Sequence, residues 1–241
     1  MNRNRRRFIT LGSIGAFALY GQVARGQVPK AEPKIEPKVA KEKEEEAGVT
    51  AAEDLMREHG VLDRIMLIYE EGLRRLRTGV PISGDLFGEA AVMVRKFIEQ
   101  YHEVLEEKYI FPELEQRQRH VELIRVLREQ HQAGRAVTGA ILSYSAAERF
   151  ATEDGRRMIA WACENFTRMY RPHRNREETV LFPALHDVLS FRQLDLLGDA
   201  FEEQEEKLLG PRGFEKMVEQ VAALEKQLGI YDLAQFTPRL S

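Results

Sequence analysis

The chain has 241 residues, of which 43% are hydrophobic and 31% are charged, and its formal net charge is −3. This composition is typical of a globular protein with one core and appended segments. Cys163 is the single cysteine, which excludes an intramolecular disulfide framework and any cysteine-rich zinc or iron–sulfur site. The first 26 residues contain five arginines and no acid, and subtracting these from the net charge leaves about −8. That balance excludes a basic surface for nucleic acid.

The first 26 residues have the pattern of an export signal, and they resemble the twin-arginine type. The fixed positions of that signal are occupied by Arg5, Arg6, Phe8 and Ile9. An apolar run over 11–23 follows, and small residues predict cleavage after Gly26. The resemblance implies export in the folded state to the periplasm or cell envelope of a bacterium. A basic N-terminal arm without an addressing role is the alternative.

Residues 27–48 alternate proline, lysine and glutamate and contain little that could be buried, so we predict a solvated linker. The apolar run of the signal is shorter and richer in glycine than a membrane span, which needs about 20 strongly apolar residues. We therefore expect no span in the mature chain. If the signal stays uncleaved, it would act as an N-terminal anchor, and the linker would hold the folded part away from the membrane.

From residue 50 onward, apolar residues recur at spacings of three and four, which predicts helices. The predicted helices cover 50–77, 84–110, 115–148 and 153–188, followed by shorter ones near 191–208 and 211–228. Thr152 is the predicted N-cap of the fourth helix. Phe-Pro pairs at 111–112 and 182–183 are expected to interrupt the second and fourth helices near their ends. We predict a single helical domain over 49–235.

A repeat lies inside this domain. Residues 102–114 align with 173–185 at an offset of 71, with six of thirteen positions identical. The identical positions include a histidine, two consecutive glutamates and the Phe-Pro pair. One helical hairpin used twice, with its copies packed face to face, gives an all-α, up-down four-helix bundle with an approximate two-fold axis and additional C-terminal helices.

Each copy of the repeat carries a histidine and a glutamate four residues apart, so both side chains lie about 40° apart around the helix and one turn along it. Two further histidines come from the first and third helices. The candidate metal ligands are His59, His102, Glu106, His131, His173 and Glu177. Such groups are costly to bury unless they are paired or coordinated. Imidazole and carboxylate ligands suit iron, with manganese or zinc as alternatives.

The two HxxxE segments that end in Phe-Pro, with REHGVLDRI at 57–65 and REQHQAGR at 128–135, resemble the hemerythrin-like (HHE cation-binding) family over residues 50 to 190. The resemblance implies two non-heme irons joined by carboxylate and oxo bridges. The implied assignment is His59 and His102 on one iron, His131 and His173 on the other, and Glu106 and Glu177 as bridges.

The sequence departs from the oxygen-carrying hemerythrins in its third helix. Those proteins have two histidines four residues apart, whereas the neighbours of His131 at that spacing are Leu127 and Arg135. With the implied ligand set, two coordination positions stay open or bind water. Reversible oxygen carriage is thereby put in doubt, and redox or sensing chemistry is favoured.

We therefore expect a di-iron protein of the cell envelope that binds, senses or reacts with dioxygen, nitric oxide or peroxide. The alternatives are a di-iron peroxidase or oxidase and an iron storage or delivery protein. Tyr109 and Tyr170 share the ligand faces of their helices, and they are expected either to line the site or to fill the core.

Four other polar residues lie close to the motifs in the sequence. Glu107 and Glu178 follow the ligand glutamates, and we expect surface acids, with hydrogen bonds to ligand histidines as the alternative. His120 is expected to be a solvated surface histidine, about 16 Å along a helix from His131. His186 lies beyond the second Phe-Pro pair and is not assigned to the site.

Overall fold

The computed structural model describes residues 50–239. The predicted signal over 1–26 and the predicted linker over 27–48 lie outside the described residues. Within the described part of the chain all regular secondary structure is helical, which confirms the all-α prediction.

Six long helices form the domain. They are α1 (Ala51–Thr78), α2 (84–115), α3 (Val121–Ser145), α4 (153–188), α5 (Phe191–Leu209) and α6 (Gly213–Leu228). A one-turn helix at Ala147–Phe150 joins α3 to α4, and a 3-10 turn at Leu233–Phe236 follows α6.

Helices α1 to α4 pack in a closed ring. Helix α4 lies against both α1 and α3, and α2 completes the ring by packing against α3 and α1. Short connections join successive helices, so neighbours in sequence run antiparallel. The result is the predicted up-down four-helix bundle. Helices α5 and α6 pack outside the ring, and α6 is tied to α1 by the ion pair of Arg64 with Glu225, whose Nε···Oε1 distance is 2.9 Å.

Local signals in the sequence explain the helix ends. Thr50 and Glu53 form a capping box at the start of α1, and Gly79 ends this helix in the left-handed region with φ of 70°. The predicted cap at Thr152 is confirmed, because its hydroxyl accepts a hydrogen bond from the amide of Gly155 at 2.9 Å. These caps fix where α1 and α4 begin.

The Phe-Pro pairs follow irregular turns near the ends of α2 and α4, and the predicted bounds of α4 are confirmed, whereas α2 does not end before its pair as predicted. In α2, π-helical turns at Val94–His102 and Glu106–Ile110 alternate with α-helical segments at Gly84–Met93, Glu103–Leu105 and Phe111–Glu115. In α4, a π-helical turn at Glu177–Leu181 lies between Glu153–Arg176 and Phe182–Val188. A proline has no amide hydrogen and crowds the carbonyl four residues before it, and a wider π turn relieves that contact.

As a consequence, α2 continues to residue 115 and α3 begins only at Val121, whereas the sequence predicted a boundary between 110 and 115. Gln118 and His120 lie in the intervening turn with φ of 54° each, so His120 precedes α3. Within the described residues, no helix is both long and apolar enough to cross a membrane.

Candidate metal centre

The six predicted ligands meet in the interior of the bundle. Four helices contribute them, and each side chain comes from the face that its helix turns toward the core. The exposed fraction of each residue is 4% or less: His59, His102, Glu106, His131, His173 and Glu177. The long-range part of the constellation, which the sequence could only infer from the repeat, is therefore present in the fold.

Glu177 lies between histidines of two different helices. Its Oε2 is 3.3 Å from Nε2 of His59 on α1, and its Oε1 is 3.0 Å from Nε2 of His173 on α4. The two carboxylate oxygens thus face one imidazole each.

Glu106 occupies the equivalent position on α2. Its Oε2 is 3.6 Å from Nε2 of His102 and 3.5 Å from Nε2 of His131 on α3. Each glutamate therefore stands between one histidine of the α1–α2 hairpin and one of the α3–α4 hairpin.

The four imidazoles form two pairs. The ring centroids of His59 and His102 are 4.7 Å apart, and those of His131 and His173 are 5.0 Å apart. The inward atoms of Glu106, His131, His173 and Glu177 all lie within 4.8 Å of one another, as do those of His59, His102 and Glu106. Two adjacent cation positions, with a carboxylate shared between them, fit this arrangement.

Five of the inward atoms make no hydrogen bond of good geometry within the described residues, although imidazole nitrogens lie close to them. They are both carboxylate oxygens of Glu106, both of Glu177, and Nε2 of His131. Buried polar atoms normally have a partner, and leaving one unpaired costs about 1–3 kcal/mol. Coordination of a metal would satisfy all five atoms at once, so the residues present fit a bound metal.

The outward nitrogen of every candidate histidine has an acceptor. These contacts join Nδ1 of His59 to Glu178 at 3.1 Å, His102 to Glu58 at 2.8 Å, His131 to Glu107 at 2.8 Å and His173 to Gln130 at 2.8 Å. Nδ1–H donates to such an acceptor, so in the neutral imidazole the lone pair is on Nε2 and points to the centre. The tautomer that a metal ligand needs is thereby fixed at all four positions.

Two arginines brace the outer acids. Nη1 of Arg174 donates to Glu178 at 3.1 Å, and Nη2 of Arg135 donates to Glu107 at 2.8 Å. These contacts favour the ionised form, and both glutamates have a pKa below the usual range, mainly because of their hydrogen bonds to His59 and His131.

The phenylalanines of the repeat contact the site directly. The ring of Phe182 stacks on His59 with centroids 5.7 Å apart, and Phe111 stacks on His131 at 5.7 Å. The π turns at Glu106–Ile110 and Glu177–Leu181 lie between the ligand glutamates and these rings. Irregular helical turns of this kind often occur at functional sites.

Two of the four histidines, His59 and His131, hold their protons strongly when no metal is bound, whereas burial lowers the pKa of His102 to about 4. Burial lowers the pKa of His59, but the contacts with Glu177 and Glu178 outweigh burial and raise it to about 9. The pKa of His131 likewise rises to about 10, because Glu106 and Glu107 outweigh its burial. Without a bound metal, these pKa values keep both imidazoles protonated at neutral pH.

Tyr170 adjoins the site, whereas Tyr109 does not. The hydroxyl of Tyr170 donates to Oε1 of Glu103 at 2.6 Å, and its ring lies edge-on to His173 with centroids 5.4 Å apart. A Cβ atom at Gly134 would overlap that hydroxyl. Tyr109 is half-buried and packs on Phe201 of α5, with ring centroids 5.8 Å apart.

The third helix contributes one histidine to the cluster. Of its neighbours at spacing four, Leu127 is buried in the core, and Arg135 is directed to Oε2 of Glu103 on α2 at 2.8 Å. His120 and His186 are exposed and belong to none of the metal-binding groups in the described part of the chain.

Sequence reasoning missed much of the outer layer. Glu107 and Glu178 are not surface acids, because the alternative hydrogen bonds to histidine are the ones formed. The available signal was the doubled glutamate in both copies of the repeat. Glu58 and Gln130 also act as acceptors, and each immediately precedes a candidate histidine. The same offset in both hairpins could have identified them.

The fold and the site together define a four-helix-bundle protein with a buried histidine–glutamate metal-binding cluster. A family model, the hemerythrin HHE cation binding domain, matches residues 50–185, and the chain belongs to this family. Proteins of Mycobacterium bovis and of two Mycobacterium tuberculosis strains, each described as uncharacterized, are 47% identical over 195 residues, covering 81% of this chain and 76% of each relative. No solved structure matches the chain significantly.

Proposed function

We propose that this chain is a non-heme di-iron protein that binds, senses or reacts with a small oxidant, namely dioxygen, nitric oxide or peroxide. The observation that carries the proposal is the placement of Glu106 and Glu177, each of which faces one imidazole of either histidine pair. A carboxylate in that position can bridge two ions. The imidazole nitrogens favour a transition metal such as iron, because calcium and magnesium prefer oxygen ligands.

A bound iron pair would supply electrons and coordination positions for the oxidant. The protein's own contribution is to hold the ligand histidines in one tautomer through their outer acceptors. It also surrounds the centre with apolar side chains, among them the stacked rings of Phe111 and Phe182. A dry, rigid surrounding limits solvent access to the ions.

The test is purification without oxygen, elemental analysis, and titration of the reduced protein with dioxygen, nitric oxide and peroxide in turn. About two irons per chain and new absorption bands at the border of the ultraviolet and visible range are expected for a coupled iron pair. A protein that holds no metal, or only tightly bound zinc, would contradict the iron proposal.

Tyr170 favours a second candidate, a di-iron peroxidase or oxidase. Its hydroxyl is bonded to Glu103 and its ring lies edge-on to His173, where a phenol could donate an electron during turnover. Tyr170→Phe would then abolish turnover with a reducing substrate while leaving the iron content unchanged. Tyr109→Phe is the matched control, since that ring packs on Phe201. Unchanged turnover in Tyr170→Phe would exclude Tyr170 as the electron donor, and a wild type without turnover would leave only the binding or sensing proposal.

We also propose that the protein is exported by the twin-arginine route to the periplasm or cell envelope. The support is Arg5-Arg6 ahead of Phe8-Ile9. Replacing Arg5 and Arg6 by lysine is expected to retain the protein in the cytoplasm with its metal bound. Arrival of the double variant in the envelope would refute this assignment.

A further inference from the structure

The outer acceptors of the two histidine pairs differ in charge. Both imidazoles of the first pair, His59 and His102, bond to carboxylates, namely Glu178 and Glu58. In the second pair, His131 bonds to a carboxylate, but His173 bonds to the amide oxygen of Gln130. The sequence aligns these two acceptors, because each directly precedes the histidine contributed by α1 or α3.

The acceptor on Nδ1 controls how strongly Nε2 binds a metal. A carboxylate attracts the Nδ1 proton and makes the imidazole a stronger electron donor, whereas a neutral amide does so less. Changing such an outer partner typically alters metal affinity by about 10- to 100-fold. The pair with two carboxylates should therefore hold its ion more strongly.

The acids that bond to His59 and His131 have similar partners. Arg174 donates to Glu178 and Arg135 donates to Glu107, so these two acids are balanced to a similar degree. Among the four acceptors of the histidines, the charge therefore differs between Glu58 and Gln130.

Burial increases that difference. Glu58 is 1% exposed, whereas Gln130 is half-buried. A charge in the low-dielectric interior acts more strongly on a neighbouring group than a dipole that solvent can reach. Both the charge and the depth of Glu58 thus favour the first pair.

We propose that the two metal positions are inequivalent, and that the position at His59 and His102 binds its ion first and releases it last because Glu58 backs His102. Glu58 is a positioning residue in this account, since it acts through the imidazole. The inference rests on the proposed two-metal function. A protein with one metal ion bound would hold it at His59 and His102, in the α1–α2 hairpin.

The experiment is an anaerobic titration of the metal-free, full-length protein with ferrous iron, followed by calorimetry. The wild type should show two steps separated by about tenfold or more in affinity. Glu58→Gln should weaken the first step until the two merge, and Gln130→Glu should strengthen the second step until they merge. The double variant Glu58→Gln/Gln130→Glu has the wild-type charge and should show two steps again.

A matched pair of ligand variants locates the first step. Each variant removes the histidine of one HxxxE motif. His173→Ala should retain the binding step of higher affinity, whereas His102→Ala should lose it. Circular dichroism of each metal-free variant checks folding. Should Glu58→Gln fail to fold, Gln130→Glu alone still decides the matter, because its position is half-buried.

The outcomes separate the inference from the proposed function. Binding of fewer than two irons by the wild type would contradict the di-iron proposal itself. Two irons bound with equal affinity, or a step ratio that Gln130→Glu leaves unchanged, would overturn the inference while the di-iron proposal stands. A tight step retained in His102→Ala would also overturn it.

Discussion

The α1–α2 and α3–α4 hairpins agree in the residues that face the centre and differ one layer further out. At the centre both supply two histidines and one glutamate. In the next layer, Oδ2 of Asp63 on α1 pairs with Arg174 on α4 at 2.6 Å, while Arg135 on α3 pairs with Glu103 on α2 at 2.8 Å. In the first ion pair the acid is on α1 and the arginine on α4. In the equivalent second pair the arginine is on α3 and the acid on α2.

This difference separates the features that metal binding would require from those that can vary. A metal ligand must offer a lone pair at a defined place, so the central residues are the same in both hairpins. A supporting ion pair needs only opposite charges at the right distance, so either helix can supply the acid. In both hairpins the arginine also bonds to the outer glutamate, Glu178 or Glu107.

A second difference concerns size. Tyr170 on α4 corresponds to Glu99 on α2 at the offset of 71, and Gly134 on α3 corresponds to Leu62 on α1 when His131 is aligned with His59. The large aromatic ring of Tyr170 thus lies against the residue without a side chain, whereas Glu99 pairs with Arg95 at 2.8 Å. The two hairpins therefore differ in side-chain size at these equivalent positions.

The largest effect is expected from the shared glutamates. Glu106→Ala or Glu177→Ala should lower the occupancy of both metal positions together, by tenfold or more. The reason is that each carboxylate faces both histidine pairs. Elemental analysis of the purified variants measures this. His120→Ala and His186→Ala are the controls and should retain full metal content. Loss of one metal only, in both glutamate variants, would show that the carboxylates are terminal ligands.

The size difference predicts the next largest effect. Gly134→Ala should destabilise the protein by about 1–3 kcal/mol, because the new methyl group overlaps the hydroxyl of Tyr170. Gly60→Ala is the control, since a Cβ there meets nothing within 4 Å, and it should be neutral or slightly stabilising. Denaturant unfolding of the metal-free proteins gives both values. Equal values for the two variants would disprove the close approach of α3 and Tyr170.

Phe111 and Phe182 test a feature that the two hairpins share, the stacking of a phenylalanine on a histidine. Phe111→Leu and Phe182→Leu should each cost about 1–2 kcal/mol, because each removes an aromatic ring stacked on a histidine. The two losses should be similar, since the stacking distances are the same. Thermal unfolding measures both losses of stability. A loss in only one variant would mean that the two hairpins pack differently.

The smallest effect concerns protons, and it should also be shared by the hairpins. The pKa values of His59 and His131 are raised to about 9 and about 10, so both are protonated in the metal-free protein at pH 7.5. Metal binding needs neutral imidazoles and should release about two protons per chain. Calorimetry in buffers of different ionisation enthalpy counts them, and a heat independent of the buffer would contradict the prediction.

The same shifts set the pH dependence of the metal-free fold. The folded-state pKa of His59 and of His131 lies above the ordinary value of 6.5. The stabilisation of the folded state by these two protonated histidines is therefore complete below pH 6.5. It is lost as pH rises through about 9 and then about 10. The apparent metal affinity should rise over the same range as protons stop competing.

The sequence by itself determined the helical class, the duplication and the six central residues. Periodicities of three and four report local geometry, and the HxxxE spacing places two side chains on one helix face. The repeat then implied that the two faces meet. The ligand roles of the six residues remain predictions, although the fold brings them together.

Only the tertiary structure decided which atoms support the histidines. Glu58 and His102 are 44 residues apart, and His59 and Glu178 are 119 apart, so no local pattern relates them. It also decided that α2 continues past Phe111, and that Phe111 and Phe182 stack on histidines of other helices. Such contacts depend on how helices pack, and packing is a property of the assembled bundle.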